Sequence, residues 1–437
     1  MAVCARRYAR SYDGAMASTS DGVLEAVRSW LEENWDPDLT VGEWWDRLGN
    51  SGWAVPTWPE EWFGKGLGRG DAVVVAGAIS AHGALGAPAG LGLLLAGPTI
   101  ITHGTEEQKR RYLPGIVTGR EAWCQLFSEP EAGSDLAGLR TLAVRDGEEW
   151  MVNGQKVWTS GGQYADLGML MARTDPTIPK HRGISYFAID MHQPEIDIRP
   201  LREMTGRALF NEVFLSDAIV PDDALIGGEG NGWAVGNTTL AFERAGLGAG
   251  GTGAASSVAP GTVAGMLDKR VGDFVRSTRS GTAGALSGFG SSMMLKLAAS
   301  TGAIGDPVLR QDLMKLHTLG EIARFNNVRA KAARQAGRGE IPGMGNLSKL
   351  AMSEMTRMTR DLGPRILGAG GMLSGTSAPG GGIVAELTLF APAVSIYGGS
   401  DQVQRNIIGE RVLGLPSEPR TDKDVPFSEL RTSATRG

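Results

Sequence analysis

Apolar positions in the first quarter of the chain recur at helical spacing. Val23, Val27, Trp30 and Leu31 fall on one face of a helix that Asp21 can cap. Pro37, Pro56 and Pro59 punctuate the next stretch, and a second apolar helix fits Asp71 to Ala84. Thr105–Glu106–Glu107 opens a short helix ending near Leu113–Pro114. The period changes at about Glu121. Strand-like runs succeed one another at Thr141–Val144, Trp150–Val152, Lys156–Trp158, Leu167–Ala172, Ile184–Ile189, Ile196–Ile198 and Glu212–Leu215. Asp146–Gly147 and Asn153–Gly154 stand between such runs and predict hairpin turns. Helical texture returns after Gly232. One candidate spans Pro307 to Gly337, with Val308, Leu313, Leu316, Leu319, Ile322 and Phe325 near helical spacing; others span Asn346 to Leu367 and Val403 to Leu413. The expectation is an α+β chain: a helical domain over 1–120, a β-barrel or sandwich over 121–231, and a helical bundle over 232–437.

A chain of 437 residues can bury two or three cores. A net charge of −5 argues against a nucleic-acid surface. Glycine, at 64 residues, runs at roughly twice its usual share. Much of it lies in 246–290 and 368–382, which read as loops or loosened helices. Cys4 and Cys124 show no CxxC spacing, so neither a disulfide framework nor a zinc site is expected, and a reducing, cytoplasmic setting is. The apolar run around Leu91–Ala96 is too short to span a bilayer. Arg6, Arg7 and Arg10, with no acid among the first ten residues, fit a transit peptide less well than an extended start ahead of Met16 or a frayed terminus.

Separated segments carry the chemistry. The string Gln125–Leu126–Phe127–Ser128–Glu129–Pro130–Glu131–Ala132–Gly133–Ser134–Asp135 places amides and hydroxyls beside glycine, where they can reach ligand heteroatoms, and small Ser134 leaves room for a bulky group. Its Gly-Ser-Asp alone would be an ordinary turn. The string Asn153–Gly154–Gln155–Lys156–Val157–Trp158–Thr159–Ser160–Gly161 offers an aromatic face and two hydroxyls, although a strand tryptophan can equally fill a core. A third runs Tyr397–Gly398–Gly399–Ser400–Asp401–Gln402–Val403–Gln404–Arg405. Together these strings resemble the acyl-CoA dehydrogenase family along nearly the whole chain. The resemblance implies FAD as cofactor, held by Gln125, Leu126, Ser128, Gly133 and Ser134 from the first string and Gly399, Ser400 and Gln402 from the third. It sets Trp158 against the isoalloxazine ring, Thr159 beside it, and Ser160 near flavin N5. Arg365–Ile366–Leu367–Gly368–Ala369–Gly370–Gly371 resembles the stretch that reaches the ADP part of a neighbouring subunit's FAD, through Arg365, Gly368 and Ala369; the family usually has Gln at the first of these. The family's pyrophosphate grip, an Arg before a Phe-Gly pair, has no counterpart between Gly246 and Gly305, which leaves Arg310 as candidate.

Many members place the catalytic glutamate directly before the C-terminal Gly-Thr. Here that residue is Gly398, which cannot remove a proton. A smaller branch, including isovaleryl- and long-chain enzymes, carries the glutamate on an earlier helix just before an arginine, where this chain has Leu240–Ala241–Phe242–Glu243–Arg244. Glu243 is thus the implied base, with Ser134, Arg244 and Gly398 bordering the substrate. Without the resemblance, Glu243 would read as a solvated helix carboxylate or the partner of a structural arginine. The implied reaction is α,β-dehydrogenation of an acyl-CoA to the trans-2-enoyl-CoA, the step found in fatty acid β-oxidation and related lipid metabolism. A water-poor cleft would raise the base's pKa toward the working pH. The resemblance implies an electron-transfer flavoprotein as electron acceptor and a homotetramer or heterotetramer as the assembly. An acyl-CoA oxidase is one rival. A non-catalytic or half-site subunit of a heteromeric enzyme is another, favoured by the glycine-rich tract and the missing arginine, and opposed by Glu243 and the intact first two strings.

Overall fold

Tryptophan organises the N-terminal helices. The computed structural model describes residues 21–248, 258–275, 290–336, 338–375, 378–419 and 422–430; Cys4, the early arginines, and 249–257 and 276–289 of the glycine-rich tract lie outside them. Helices α1 (residues 21–34) and α2 (Val41–Asn50) bury Val27, Leu31, Val41, Trp44, Trp45 and Leu48 completely. A buried indole needs a partner for its N–H. Trp44 Nε1 donates to Leu85 O at 2.7 Å and Trp45 Nε1 to Gly86 O at 2.9 Å, which ties α2 to the chain leaving α3 (Arg69–His82). A π-helical turn, Gly92–Ala96, leads straight into α4 (Gly97–His103). Both α2 and α5 (Glu106–Val117) begin on capping boxes, Thr40 with Glu43 and Thr105 with Gln108. Helix α5 runs past the stop expected at Pro114, because the Thr118 N–H and hydroxyl both close the last turn onto Pro114 O.

Strands β1 (Trp123–Leu126), β2 (Leu142–Asp146), β3 (Glu149–Ser160), β4 (Leu167–Arg173), β5 (Ile184–Asp190), β6 (Ile196–Leu201) and β7 (Phe210–Pro221) form one curled half-barrel sheet. Their order is β1-β4-β2-β3-β7-β6, with β5 also paired to β4. Strands β4 and β5 are buried almost without alternation, as expected of strands covered on both faces. Asp146–Gly147 makes its turn, with Gly147 at φ 64°. Asn153–Gly154 does not, because β3 runs unbroken through it. The pair serves a bulge instead: pairing with β7 slips between Val152 and Gly154. Asn153 exchanges hydrogen bonds with Asp217 of β7, and a Cβ on Gly154 would lie 2.4 Å from Thr141 Oγ1.

Helix α6 (Gly232–Gly248) leaves the sheet and lies back on β5. The bundle beyond comprises α7 (Ser291–Thr301), α8 (Pro307–Gln335), α9 (Met344–Leu367), α10 (Ile383–Val394) and α11 (Asp401–Ile407), around Met294, Ala298, Leu309, Leu313, Leu316, Leu362 and Ile366. The apolar stripe expected on α8 is only partly covered: Leu313 and Leu316 are buried, whereas Val308, Ile322 and Phe325 are exposed. Glycine-rich 368–382, expected as loops or loosened helix, contains two short helical turns, Gly368–Met372 and Pro379–Gly382, the second broken by Gly380 and Gly381 at φ 64° and 68°. Among the described residues, no helix is long and apolar enough to cross a membrane.

Glu121 sits where the helices meet the sheet, with Oε2 buried and without a hydrogen-bond partner among the described residues. Burial, and then the Asp166 carboxylate, push its carboxyl up to about 7 from an ordinary 4.5. The folded state therefore keeps a proton that the unfolded state releases, and stability falls as pH rises through that window. Glu121→Gln should melt higher than wild type at pH 8 and equally at pH 4; thermal melts with the same offset at both values would contradict this.

Candidate active site

The first and second strings meet at a buried ion pair. Lys156, with no exposed surface, sets Nζ 2.8 Å from Glu129 Oε1 and also donates to Phe127 O at 3.1 Å and Met171 O at 2.8 Å. Glu129 accepts backbone N–H bonds from Arg140 at 2.6 Å and Thr141 at 2.9 Å. Burial pushes the Glu129 carboxyl up, but Lys156, Thr141 and Arg140 together outweigh it and hold the group below the ordinary carboxylate range. The Val157 N–H donates to Ser128 O at 2.9 Å, so the two strings lie side by side. Sequence reasoning gave neither Glu129 nor Lys156 a role. The available signal was a lysine standing in the otherwise apolar inward row of β3.

Directly beyond Lys156 the β3–β7 pairing slips again, between Lys156 and Thr159. This second bulge puts Trp158 in left-handed backbone, φ 63°. For a bulky residue that conformation costs on the order of 1–3 kcal/mol. The indole turns out of the sheet, 58% exposed, with its edge against Phe210 at 5.8 Å, so it does not fill the core. Next to it, Thr159 buries a hydroxyl with no hydrogen-bond partner among the described residues, and Ser160 is exposed. An orphaned buried hydroxyl beside an exposed, strained aromatic fits a planar, polar-edged ligand such as a flavin. Leu126 is buried, Gln125 and Ser128 are half-buried, and Gly133 and Ser134 lie exposed on the loop after β1.

Glu243 and Arg244 are both half-buried on α6. Burial is the main influence on Glu243 and raises its pKa; a side-chain hydrogen bond with Gln125, then the Arg244 charge, act against it. Burial likewise lowers Arg244, opposed by Glu243. Glu243 is thus no solvated helix carboxylate. One turn earlier, Thr239 places its hydroxyl 3.0 Å from that of Thr99 and 3.2 Å from that of Tyr186.

In the third string, Gly398 and Gly399 have φ 62° and 78°, and Gln404 Nε2 donates to Gly398 O at 2.8 Å. A glutamate at 398 would be forced into left-handed backbone. Ser400 caps α11 by accepting the Val403 N–H at 3.3 Å, and Gln402 is exposed. Asp401 anchors the string through Arg357 at 2.6 Å and Lys349 at 3.5 Å. Arg310 is exposed on the first turn of α8, Arg365 on α9 pairs with Asp312 at 2.9 Å, and Gly368 and Ala369 are exposed just past α9. Among the described residues, no hydrogen bond or ion pair joins these four to Glu243 or Trp158.

By sequence, the chain matches the acyl-CoA dehydrogenase N-terminal domain over residues 15–120, the middle domain over 124–218 and the C-terminal domain over 292–413. It is 36% identical over 379 residues to acyl-CoA dehydrogenase IpdE1 of Mycobacterium tuberculosis (strain ATCC 25618 / H37Rv), covering 86% of this chain and 88% of that protein. Among solved structures it is similar to the Tcur3481-Tcur3483 steroid ACAD, with TM-score 0.67 and 28% identity, covering 92% of this chain and 98% of that one. It is also similar to the ChsE4-ChsE5 complex from Mycobacterium tuberculosis, with TM-score 0.64 and 26% identity, again covering 92% and 98%.

The buried ion pair yields a direct test. Lys156→Met would leave Glu129 buried and uncompensated, a loss of about 3–5 kcal/mol. Adding Glu129→Leu removes the stranded charge and should restore most of that loss. Denaturant titration measures both; a double variant no more stable than Lys156→Met would show that packing, rather than charge compensation, dominates the site.

Proposed function

Because the chain belongs to the acyl-CoA dehydrogenase family, we propose that it desaturates a CoA thioester to the trans-2-enoyl-CoA, with Glu243 as the base that takes the α-proton. The observation that carries this reading is a half-buried carboxyl group on α6, raised by desolvation, with Arg244 beside it. FAD, when bound, supplies the hydride acceptor. Trp158 offers it a stacking face, Thr159 and Ser160 offer hydroxyls at its edge, and Gly399, Ser400 and Gln402 flank it from the C-terminal string. Ser134 and side-chain-free Gly398 leave space for the thioester, while Arg244 keeps positive charge beside the base. An electron-transfer flavoprotein then reoxidises the enzyme; rapid reoxidation by air would instead favour an oxidase.

The steroid ACAD among the similar structures directs the substrate proposal, a steroid-type acyl-CoA. Val308, Ile322 and Phe325 supply an exposed apolar face on α8 of the kind that a neighbouring subunit covers. Arg310, Arg365, Gly368 and Ala369 would reach the ADP part of a neighbour's cofactor across that interface. One observation favours a heteromeric assembly as second reading: Asp312 already neutralises Arg365, leaving less positive charge for a pyrophosphate. Protein purified alone with one FAD per chain would exclude that reading.

Glu243→Gln should keep full FAD content and lose anaerobic flavin bleaching by straight, branched and steroid-type thioesters, by about a thousandfold or more. Bleaching near the wild-type rate would overturn the assignment of the base.

A further inference from the structure

We propose that segment 422–430 is a strap that fixes the Gly133–Ser134 loop for the thioester, with Phe427 and Asp422 as positioning residues acting through Arg173 and Lys180. The inference rests on the reading in which Ser134 borders the substrate. The strap lies beyond residue 413, where the match to the family's C-terminal domain ends, and outside the other two matched stretches. It returns from the helical bundle to the loop between β4 and β5 and pairs with it. The Phe427 N–H donates to Ile178 O at 3.0 Å and the Ser428 N–H to Pro176 O at 2.8 Å, while Pro426 and Pro179 form an isolated bridge. Those backbone contacts set a register in which two strap side chains meet fixed partners.

The first partner is Arg173, at the end of β4, with its guanidinium carbon 3.4 Å from the Phe427 ring centroid. Arg173 is buried, and its donors meet three backbone carbonyls: Nε to Leu139 O at 3.1 Å, Nη2 to Ala137 O at 2.8 Å and Nη1 to Lys180 O at 3.0 Å. A planar guanidinium makes such bonds together only in one orientation, and an aromatic face holds it there. The second partner is Lys180, whose Nζ lies 2.7 Å from Asp422 of the strap and 2.9 Å from Asp135 of the first string. Burial pulls Lys180 down, but Asp422 and Asp135 outweigh it and hold the ammonium above its ordinary range.

Gly133 and Ser134 are exposed, and their neighbours are tied on both sides. Before them, Ala132 exchanges backbone hydrogen bonds with Glu129, each 3.1 Å. After them, Lys180 grips Asp135, and Arg173 holds Ala137 and Leu139. A loop ordered in advance spares a ligand the cost of ordering it, which raises affinity. Among the described residues, no hydrogen bond or ion pair joins the strap to α6, which carries Glu243. The strap therefore sets how tightly the thioester binds, not how fast the α-proton leaves.

The test uses the FAD-loaded full chain as wild type, Phe427→Ala, Phe427→Tyr and Asp422→Asn. Without substrate, amide hydrogen exchange over residues 133–139 should quicken by about tenfold in Phe427→Ala and Asp422→Asn, and stay at the wild-type rate in Phe427→Tyr, which keeps the aromatic face. In anaerobic flavin bleaching by straight, branched and steroid-type thioesters, the half-saturating concentration should rise by about tenfold in the same two variants, with the limiting rate within about twofold of wild type. Asp422→Asn covers the case in which Phe427→Ala fails to fold. Unchanged exchange at 133–139, or faster exchange with unchanged half-saturation, would overturn the strap while leaving the desaturation reading intact. A wild-type flavin that no thioester bleaches would remove that reading, and this inference with it.

Discussion

The Glu129–Lys156 pair is the constraint on which the site depends. A lysine without exposed surface keeps its ammonium inside only because one carboxylate and two backbone carbonyls meet it. That carboxylate is in turn fixed by two backbone amides of the loop entering β2. The pair thus ties β1, β3, β4 and that loop at one point. Ser128 and Gln125 lie upstream of it, and the bulge that presents Trp158 lies immediately downstream. A buried pair of this kind adds little net stability over an apolar replacement, but breaking it is costly. Its effect is geometric: it sets the register in which the first two strings meet.

Two desolvated glutamates show how surroundings divide the work of one functional group. Desolvation raises both Glu129 and Glu243. At Glu129 a buried ammonium and two amides overcompensate, so the group stays ionised and structural. At Glu243 the opposing influences are a neutral amide and a half-buried arginine, and desolvation wins. A carboxyl group left basic in this way suits proton abstraction; one stabilised as anion suits architecture.

Much of the fold was legible because it rests on local pattern. The change from helical to strand period, the Asp146–Gly147 turn and the start of α5 at Thr105 all survive in three dimensions. Asn153–Gly154 misled because pairing with β7 overrides local turn chemistry and turns the two residues into a bulge. The stripe on α8 was correctly periodic, yet periodicity says which residues share a face, not whether the chain's own core covers it. In the site, Trp158 was identifiable from its string, whereas its left-handed backbone and outward ring were not. Glu129 and Lys156 escaped because they pair across 27 residues, with nothing local to announce it.

The central claim is that Glu243 takes the α-proton of a CoA thioester. It is tested most directly by an experimental structure of the FAD-loaded protein with a CoA thioester that cannot lose a β-hydride. The account predicts a Glu243 carboxyl oxygen at about 3–3.5 Å from the thioester α-carbon, with the flavin ring on Trp158. An α-carbon facing a different acid, from this chain or a neighbour, would contradict it.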